Sequence, residues 1–308
     1  MANDARYEDQ FSPAERAVRR FARELRWRVK GFLGIQRTIL VEMRWRLGDE
    51  IMALPVYDAL AKRYPRDRLH VLTNYPELFE NKTNISAAND ASTDPDCYLF
   101  LRDDARDAYR PHHYARLAGF APDAIGRPCL DCSGWISPLE RELPEGDGPL
   151  VALAPGASWA TKRWPTEYWT ALAGQLYDAG ARVIVVGVKG EGLSTGADFT
   201  ARTSIRDAAV LLKRVRLLVC CDSGLMHLAL AVGTPVVALF GPTAPEALVR
   251  NEPIFQAITN GRECAGCWNH GTMKTPGACP LNVPVCMGTI EIGRVIAEAM
   301  NTLGPRLS

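Results

Sequence analysis

Four short stretches of this sequence combine residue types that a fold alone does not require. In "DSGLMHLALAVGTPVVALFGPT" (222–243) an acid, a hydroxyl and a glycine stand where an apolar strand gives way to a helix. The N–H groups of a helix's first turn are unpaired and its dipole end is positive, so Ser223, Gly224 and Leu225 form a ready anion site. Gly224 lets a phosphate come close. Asp222 would repel that phosphate. Either it caps the helix, or it points at sugar hydroxyls while the phosphate sits on the N–H groups and Lys162. His227, one turn after Ser223, is either a satisfied core residue or part of the same face.

The second stretch, "PGASWATKRWP" (155–165), places the small Gly156 and the cations Lys162 and Arg163 between two tryptophans. A cationic pair beside pliable backbone is what a diphosphate needs, the alternative being an exposed turn with incidental charges. The third, "RWRLGDEIMALP" (44–55), sets Gly48 and Asp49 at a helix start, behind Arg44, Trp45 and Arg46. Asp is a favoured N-cap, so Asp49 is either a cap or a reacting carboxylate. Arg44 and Arg46 add cationic groups there. The glycines of "VGVKGEGLS" (186–194) have the wrong order for a dinucleotide fingerprint and follow a second strand, which excludes a nicotinamide site.

Cysteines form the fourth feature. Of nine in the chain, Cys264, Cys267, Cys279 and Cys286 crowd into "CAGCWNHGTMKTPGACPLNVPVC". A tight Cys-x2-Cys followed by two further thiols suits a closed tetrahedral site for structural zinc or iron, the alternative being four free thiols. The segment has little strand or helix pattern, so a metal would stand in for a missing core.

These loops need strands and helices to hold them. From Thr38 the pattern alternates: strands at 38–43, 68–73 and 96–101, with helices at 49–63 and 104–118. A cleaner series follows, with strands at 150–155, 182–187, 215–221 and 235–241 and helices at 165–180, 204–213 and 223–232. Continuous Val, Leu and Ile strands alternating with helices predict α/β architecture with parallel sheets covered on both faces. The Pro-, Gly- and acid-rich run at 119–149 is the candidate linker. The reading is of an N-terminal extension (1–36), a first domain (37–145) and a second (146–308), two Rossmann-like doubly wound domains facing a cleft. Ligands then bind beyond the strand C-termini, where three of the four stretches fall.

Before the first strand, residues 14–33 read as a basic amphipathic helix. Either its apolar side docks on the protein and its basic side is solvated, or it attaches to an anionic membrane face or a partner. Composition excludes much else. The net charge of +1 offers no field for nucleic acid, and 47% hydrophobic with 23% charged residues is a soluble globular balance. No apolar run reaches about 18 residues, and "MANDARYEDQ" is no signal peptide, so a cytoplasmic protein is expected.

Together, "GDEIMALPVYDALAKRYP" (48–65), "PGASWATKRWP" and "DSGLMHLALAVGTPVVALFGPT" resemble the bacterial ADP-heptose–lipopolysaccharide heptosyltransferases. The resemblance implies the GT-B arrangement, with acceptor on the first domain and nucleotide sugar on the second. It implies Asp49 as general base and Lys162 as the group that neutralises the donor diphosphate. Asp222 with Ser223 and Gly224 becomes the donor sugar and phosphate site, and His227 its support. It also implies inverting transfer without a catalytic metal, from ADP-heptose to a lipopolysaccharide core or another surface glycan or glycolipid; peripheral inner-membrane contact through residues 14–33 stays one of the two readings of the basic helix. A protein-modifying heptosyltransferase and a non-catalytic sugar-nucleotide-binding or assembly protein are the alternatives. The long N-terminal extension and the bulky Arg44-Trp45-Arg46 depart from the family pattern, both on the acceptor side.

Overall fold

The computed structural model describes residues 7–83, 85–88, 94–101, 108–282 and 285–304. The chain divides into two compact α/β units, each with its own all-parallel sheet. The first holds the described residues through Leu101 together with Arg110–Asp131, and the second holds Tyr109 and the chain from Cys132. Residues 132–149, expected to be linker, are pinned to the second unit. Ser137 Oγ donates to Asp207 at 2.6 Å, Arg182 to the Pro144 carbonyl at 2.7 Å, and Arg202 pairs with Glu142 at 2.6 Å.

The first unit runs α1 (Pro13–Leu33), β1 (Thr38–Met43), α2 (Leu47–Arg63), β2 (Arg68–Thr73), β3 (Ile85–Ala88), β4 (Cys97–Phe100) and α3 (Arg110–Leu117). Strand order is β3-β2-β1-β4, so the order reverses between β1 and β4. The fourth strand, β3, escaped sequence reading because "ISAA" is short and three of its four residues are small. The expected helix from 104 begins at Arg110 among the described residues; 102–107 lie outside them.

Helix α1 forms as its ends dictate, with a Ser12–Glu15 capping box, Pro13 in the first turn and Gly34 left-handed at φ 68°. Its orientation corrects the expectation of an apolar side docked on the protein. The basic side is the docked one, because acids wait beneath it. Arg23 pairs with Glu8, Arg26 with Asp94 at 2.8 Å, and Lys30 with the buried Asp96 at 2.7 Å. The apolar side faces outward.

The second unit runs β5 (Leu150–Ala154), α4 (Thr166–Asp178), β6 (Arg182–Val185), β7 (Ala197–Asp198), α5 (Ile205–Arg214), β8 (Leu217–Cys221), α6 (Gly224–Ala231), β9 (Val236–Phe240), β10 (Phe255–Thr259), α7 (Val285–Gly288) and α8 (Ile292–Leu303). The order is β10-β9-β8-β5-β6-β7, and Ala154 of β5 registers with Cys220 of β8. These two neighbours are where the order reverses, so their C-terminal loops open at the switch point of a doubly wound sheet. Strands β5, β8 and β9 are buried throughout, Cys220 and Cys221 included, packed by Trp169, Leu172 and Leu176 of α4 and Val295 of α8. Among the described residues no helix is long and apolar enough to cross a membrane.

Candidate functional site

In the second unit the switch point joins two sequence stretches 60 residues apart. β5 delivers the loop 155–165 and β8 delivers Asp222. Lys162 Nζ reaches Asp222 Oδ2 at 2.5 Å, and Thr243 Oγ1 donates to the same oxygen at 2.6 Å. The Asp222 and Lys162 side chains are 6% and 12% exposed, so this is a nearly desolvated ion pair. Burial pushes the Asp222 carboxyl up, but the Lys162 ammonium and the two hydrogen bonds outweigh it and hold the group below the ordinary aspartate value. The ammonium also lies 4.4 Å from the centre of the Trp159 ring.

Asp222 is therefore not a helix cap. Ser223 is the N-cap of α6, in extended backbone (φ −152°, ψ 171°), and makes no side-chain capping bond. Its Oγ is buried without a hydrogen-bond partner, a polar atom left waiting at the helix N-terminus beside Gly224 and Leu225. His227 is buried one turn further. Burial drives its pKa down to about 4 against the pull of Asp222, so the imidazole is neutral at pH 7. Gly156 lies against the Glu191 carboxylate: a Cβ there would fall 1.9 Å from it and would displace that side chain. Arg163 turns back on its own loop and donates to the Ala157 carbonyl at 2.9 Å.

In the first unit β1 ends at Arg44-Trp45-Arg46 and α2 begins. Arg46 is the N-cap of α2, which places Asp49 inside the first turn rather than at the cap. Its carboxylate accepts a hydrogen bond from Tyr114 Oη of α3 at 2.8 Å. Burial, then the neighbouring Asp49 charge, pushes the Tyr114 phenol well above the usual tyrosine range, so it stays a neutral donor. Arg44 was expected to present its charge at the mouth. The structure turns it back onto β1, where it pairs with the buried Glu42 at 2.6 Å, while Arg46 is exposed and Gly48 buried.

Two residues of this corner escaped sequence reading. Tyr114 carries no local signal, since only the packing of α3 on α2 brings it to Asp49. Glu50 did carry one: it shares a helix stripe with Leu54 and Tyr57, an acid on an apolar face. It is fully buried, hydrogen-bonded to Thr73 Oγ1 and to the Trp45 and Asn74 amides, each at 3.1 Å. Burial drives its carboxyl up to about 8 despite those bonds. It ties the loop after β1 to the end of β2.

The four clustered cysteines line one small apolar cavity of about 20 Å³ with Thr161, Met273 and Leu281. All four are free thiols. Their identity suits a closed four-sulfur site, but among the described residues no three of them stand in metal-holding geometry.

The family model for glycosyltransferase family 9 (heptosyltransferase) matches residues 62–275. The chain belongs to that family. The match contains Lys162, Asp222, Cys264 and Cys267; it begins after Asp49 and ends before Cys279 and Cys286. Relatives of this family 9 chain include lipopolysaccharide heptosyltransferase 2 of Salmonella typhimurium, 31% identical over 39% of this chain and 37% of that one. Lipopolysaccharide heptosyltransferase 1 of Pseudomonas aeruginosa is 28% identical over 54% and 50%. The matched part thus spans about a third to a half of the length of these curated relatives. Among solved structures, the iron-containing dodecameric glycosyltransferase TibC of enterotoxigenic E. coli superposes with a TM-score of 0.71 at 19% identity, covering 87% of this chain and 76% of that one. E. coli ADP-heptose lps heptosyltransferase II superposes at 0.58 and 17% identity, covering 87% and 98%. At these identities the likeness concerns the fold, which is that of two-domain GT-B heptosyltransferases.

Proposed function

We propose that this family 9 chain is an inverting, metal-independent glycosyltransferase that moves heptose from ADP-heptose onto a lipopolysaccharide core or another surface glycan. The observation that carries the reading is the buried Lys162 ammonium, held by Asp222 beside the open N-terminus of α6. A TibC structure holds ADP-D-beta-D-heptose, and that is the donor class the site suits. In the proposed reaction Asp49 takes the proton of the acceptor hydroxyl as its oxygen attacks the anomeric carbon. The anomeric bond to the diphosphate breaks and ADP leaves with the electron pair. Lys162, together with the N–H groups of Gly224 and Leu225, meets the charge that develops. Ser223 Oγ and Asp222 hold the donor, Arg163 flanks it, and neutral His227 supports Asp222 without adding charge. Arg46 and Gly48 form the acceptor side with Asp49, in a cytoplasmic enzyme that has no use for nucleic acid.

Cys264, Cys267, Cys279 and Cys286 are the residues that would hold a structural zinc or iron. Such an ion would cross-link the segment that packs beneath Thr161, next to Lys162. Metal analysis of the purified chain should find about one equivalent, lost in Cys264→Ser.

Thermal-shift titration and transfer assays test the main reading. ADP-heptose should raise the melting temperature by mass action, and UDP-glucose should not. Labelled heptose should then appear on lipopolysaccharide core. No shift with ADP-heptose would sink the donor assignment. Transfer to a protein acceptor alone would move the chain to protein modification, and binding without any transfer would make it a non-catalytic sugar-nucleotide binder.

A further inference from the structure

Helix α1 exposes what amphipathic helices bury. Val18, Phe21, Leu25, Val29 and Phe32 are 69, 71, 54, 47 and 91% exposed, along about 20 Å of helix. An apolar stripe of this kind marks an interaction surface.

Its spacing says what covers it. About Leu25 the stripe reads the same in both directions: Phe21 and Val29 stand four residues away, Val18 and Phe32 seven. A second copy packed antiparallel about a two-fold axis at Leu25 therefore sets Leu25 on Leu25, Phe21 on Val29 and Val18 on Phe32. Such a pairing is isologous, and it needs a self-complementary surface. A two-fold of this orientation also brings one flank of the helix against the same flank of its copy. On that flank lie Glu24 and Arg28, already paired at 2.7 Å within the helix. Across the two-fold, Glu24 of each copy lies about two residues along the axis from Arg28 of the other, so the pair inside each helix can also bridge between helices.

A lipid face is the other occupant to weigh. The cations that would bind anionic headgroups are largely spent on the protein. Arg23, Arg26 and Lys30 bind Glu8, Asp94 and Asp96, Arg19 binds Asp94, and Arg16 binds Asp9. The charge that would hold α1 to such a surface is mostly neutralised.

We infer that α1 is a homodimerisation helix, pairing antiparallel with α1 of a second copy through Val18, Phe21, Leu25, Val29 and Phe32. This is independent of the donor site and of the transfer chemistry. Sedimentation of the full chain at micromolar concentration should give twice the 33.9 kDa protomer mass. Phe21→Glu with Phe32→Glu changes only exposed side chains and should give a folded monomer that still melts cooperatively, at or somewhat below the wild-type temperature because the dimer's mass-action stabilisation is gone. Under mild oxidation Leu25→Cys should form a covalent dimer that the wild type, with its native thiols, and Val18→Cys do not. A monomeric wild type, or a dimer that survives the double charge substitution, overturns the inference. So does a monomer that co-sediments with phosphatidylglycerol vesicles through the same two phenylalanines.

Discussion

Each unit places an aspartate at the same topological address, the loop after a central strand where strand order reverses, and gives it the opposite electrostatic setting. Asp222 in the second unit is buried, ionised and bound to a lysine. Asp49 in the first sits in a helix's first turn and accepts a bond from a neutral phenol. A carboxylate tied to a buried ammonium is a fixed anion that positions a cation. One aligned by a neutral donor keeps its charge for an incoming proton. Strand topology alone therefore does not assign roles; the partner of each carboxylate does.

The largest expected effect breaks the comparison on the Asp49 side. Asp49→Asn should lower the rate of heptose transfer by about 10²–10⁴-fold, the usual range for removing a general base, while the ADP-heptose thermal shift persists. Transfer at wild-type rate in this variant would remove Asp49 from the reaction. On the other side, Lys162→Met leaves Asp222 buried without its cation. Urea unfolding should show a loss of about 3–5 kcal/mol, much of it recovered when Asp222→Asn is added. Donor binding should not recover with it. That split separates what the pair does for the fold from what its lysine does for a diphosphate. Recovery of both would make Lys162 structural only.

The contrast also explains how much was legible in the sequence. The second unit's central strands are continuous apolar runs with loops of unusual composition, so β5, β6, β8 and β9 and the loops that carry Lys162 and Asp222 could be read, while the shorter or less apolar β7, β10, α7 and α8 were not. Lys162 meets Asp222 just before α6, but as a buried ion pair that neither expected role of Asp222 included. The first unit yielded less. β3 is too short and small-sided to signal a strand, and the bond from Tyr114 to Asp49 depends on tertiary packing. Arg44 found Glu42 two residues away, a partner on the same strand that its position at a loop start disguised. Helix α1 had the right boundaries and the wrong side down, because periodicity shows that a helix has two faces, not which face meets acids from distant segments.

Glu50 sharpens the comparison through pH. Its folded carboxyl titrates near 8, above the unfolded value of about 4.5, so the folded state holds a proton that the unfolded state has released. Stability should therefore fall as pH rises from 4.5 to 8 on its account. His227 works in reverse: its folded value near 4 lies below its unfolded 6.5, so its contribution rises with pH between those values and is flat above. Between pH 6.5 and 8 Glu50 alone of the two acts. The melting temperature of the wild type should decline across that window and that of Glu50→Gln should not, a difference of about 1–2 kcal/mol. A Gln amide can still accept from the Trp45 and Asn74 N–H groups, so the loop should stay tied. Equal slopes for the two proteins would show that Glu50 is ionised throughout.

The smallest effect tests whether the neutral donor matters at all. Tyr114→Phe removes the hydroxyl that meets Asp49 Oδ1 and leaves a ring of the same shape packed between α2 and α3. The phenol carries no charge at working pH, so the expected loss is that of one hydrogen bond, about 0.5–1.5 kcal/mol, or a few-fold in rate. If Tyr114 aligns the proposed base, kcat should carry the loss and KM for the donor should not move, since the proposed donor groups lie in the other unit. A matching drop in stability with kcat intact would instead make the bond a structural tie. The Tyr114 hydroxyl would then play no part in aligning Asp49, and the contrast between the two aspartates would rest on the buried Lys162 beside Asp222.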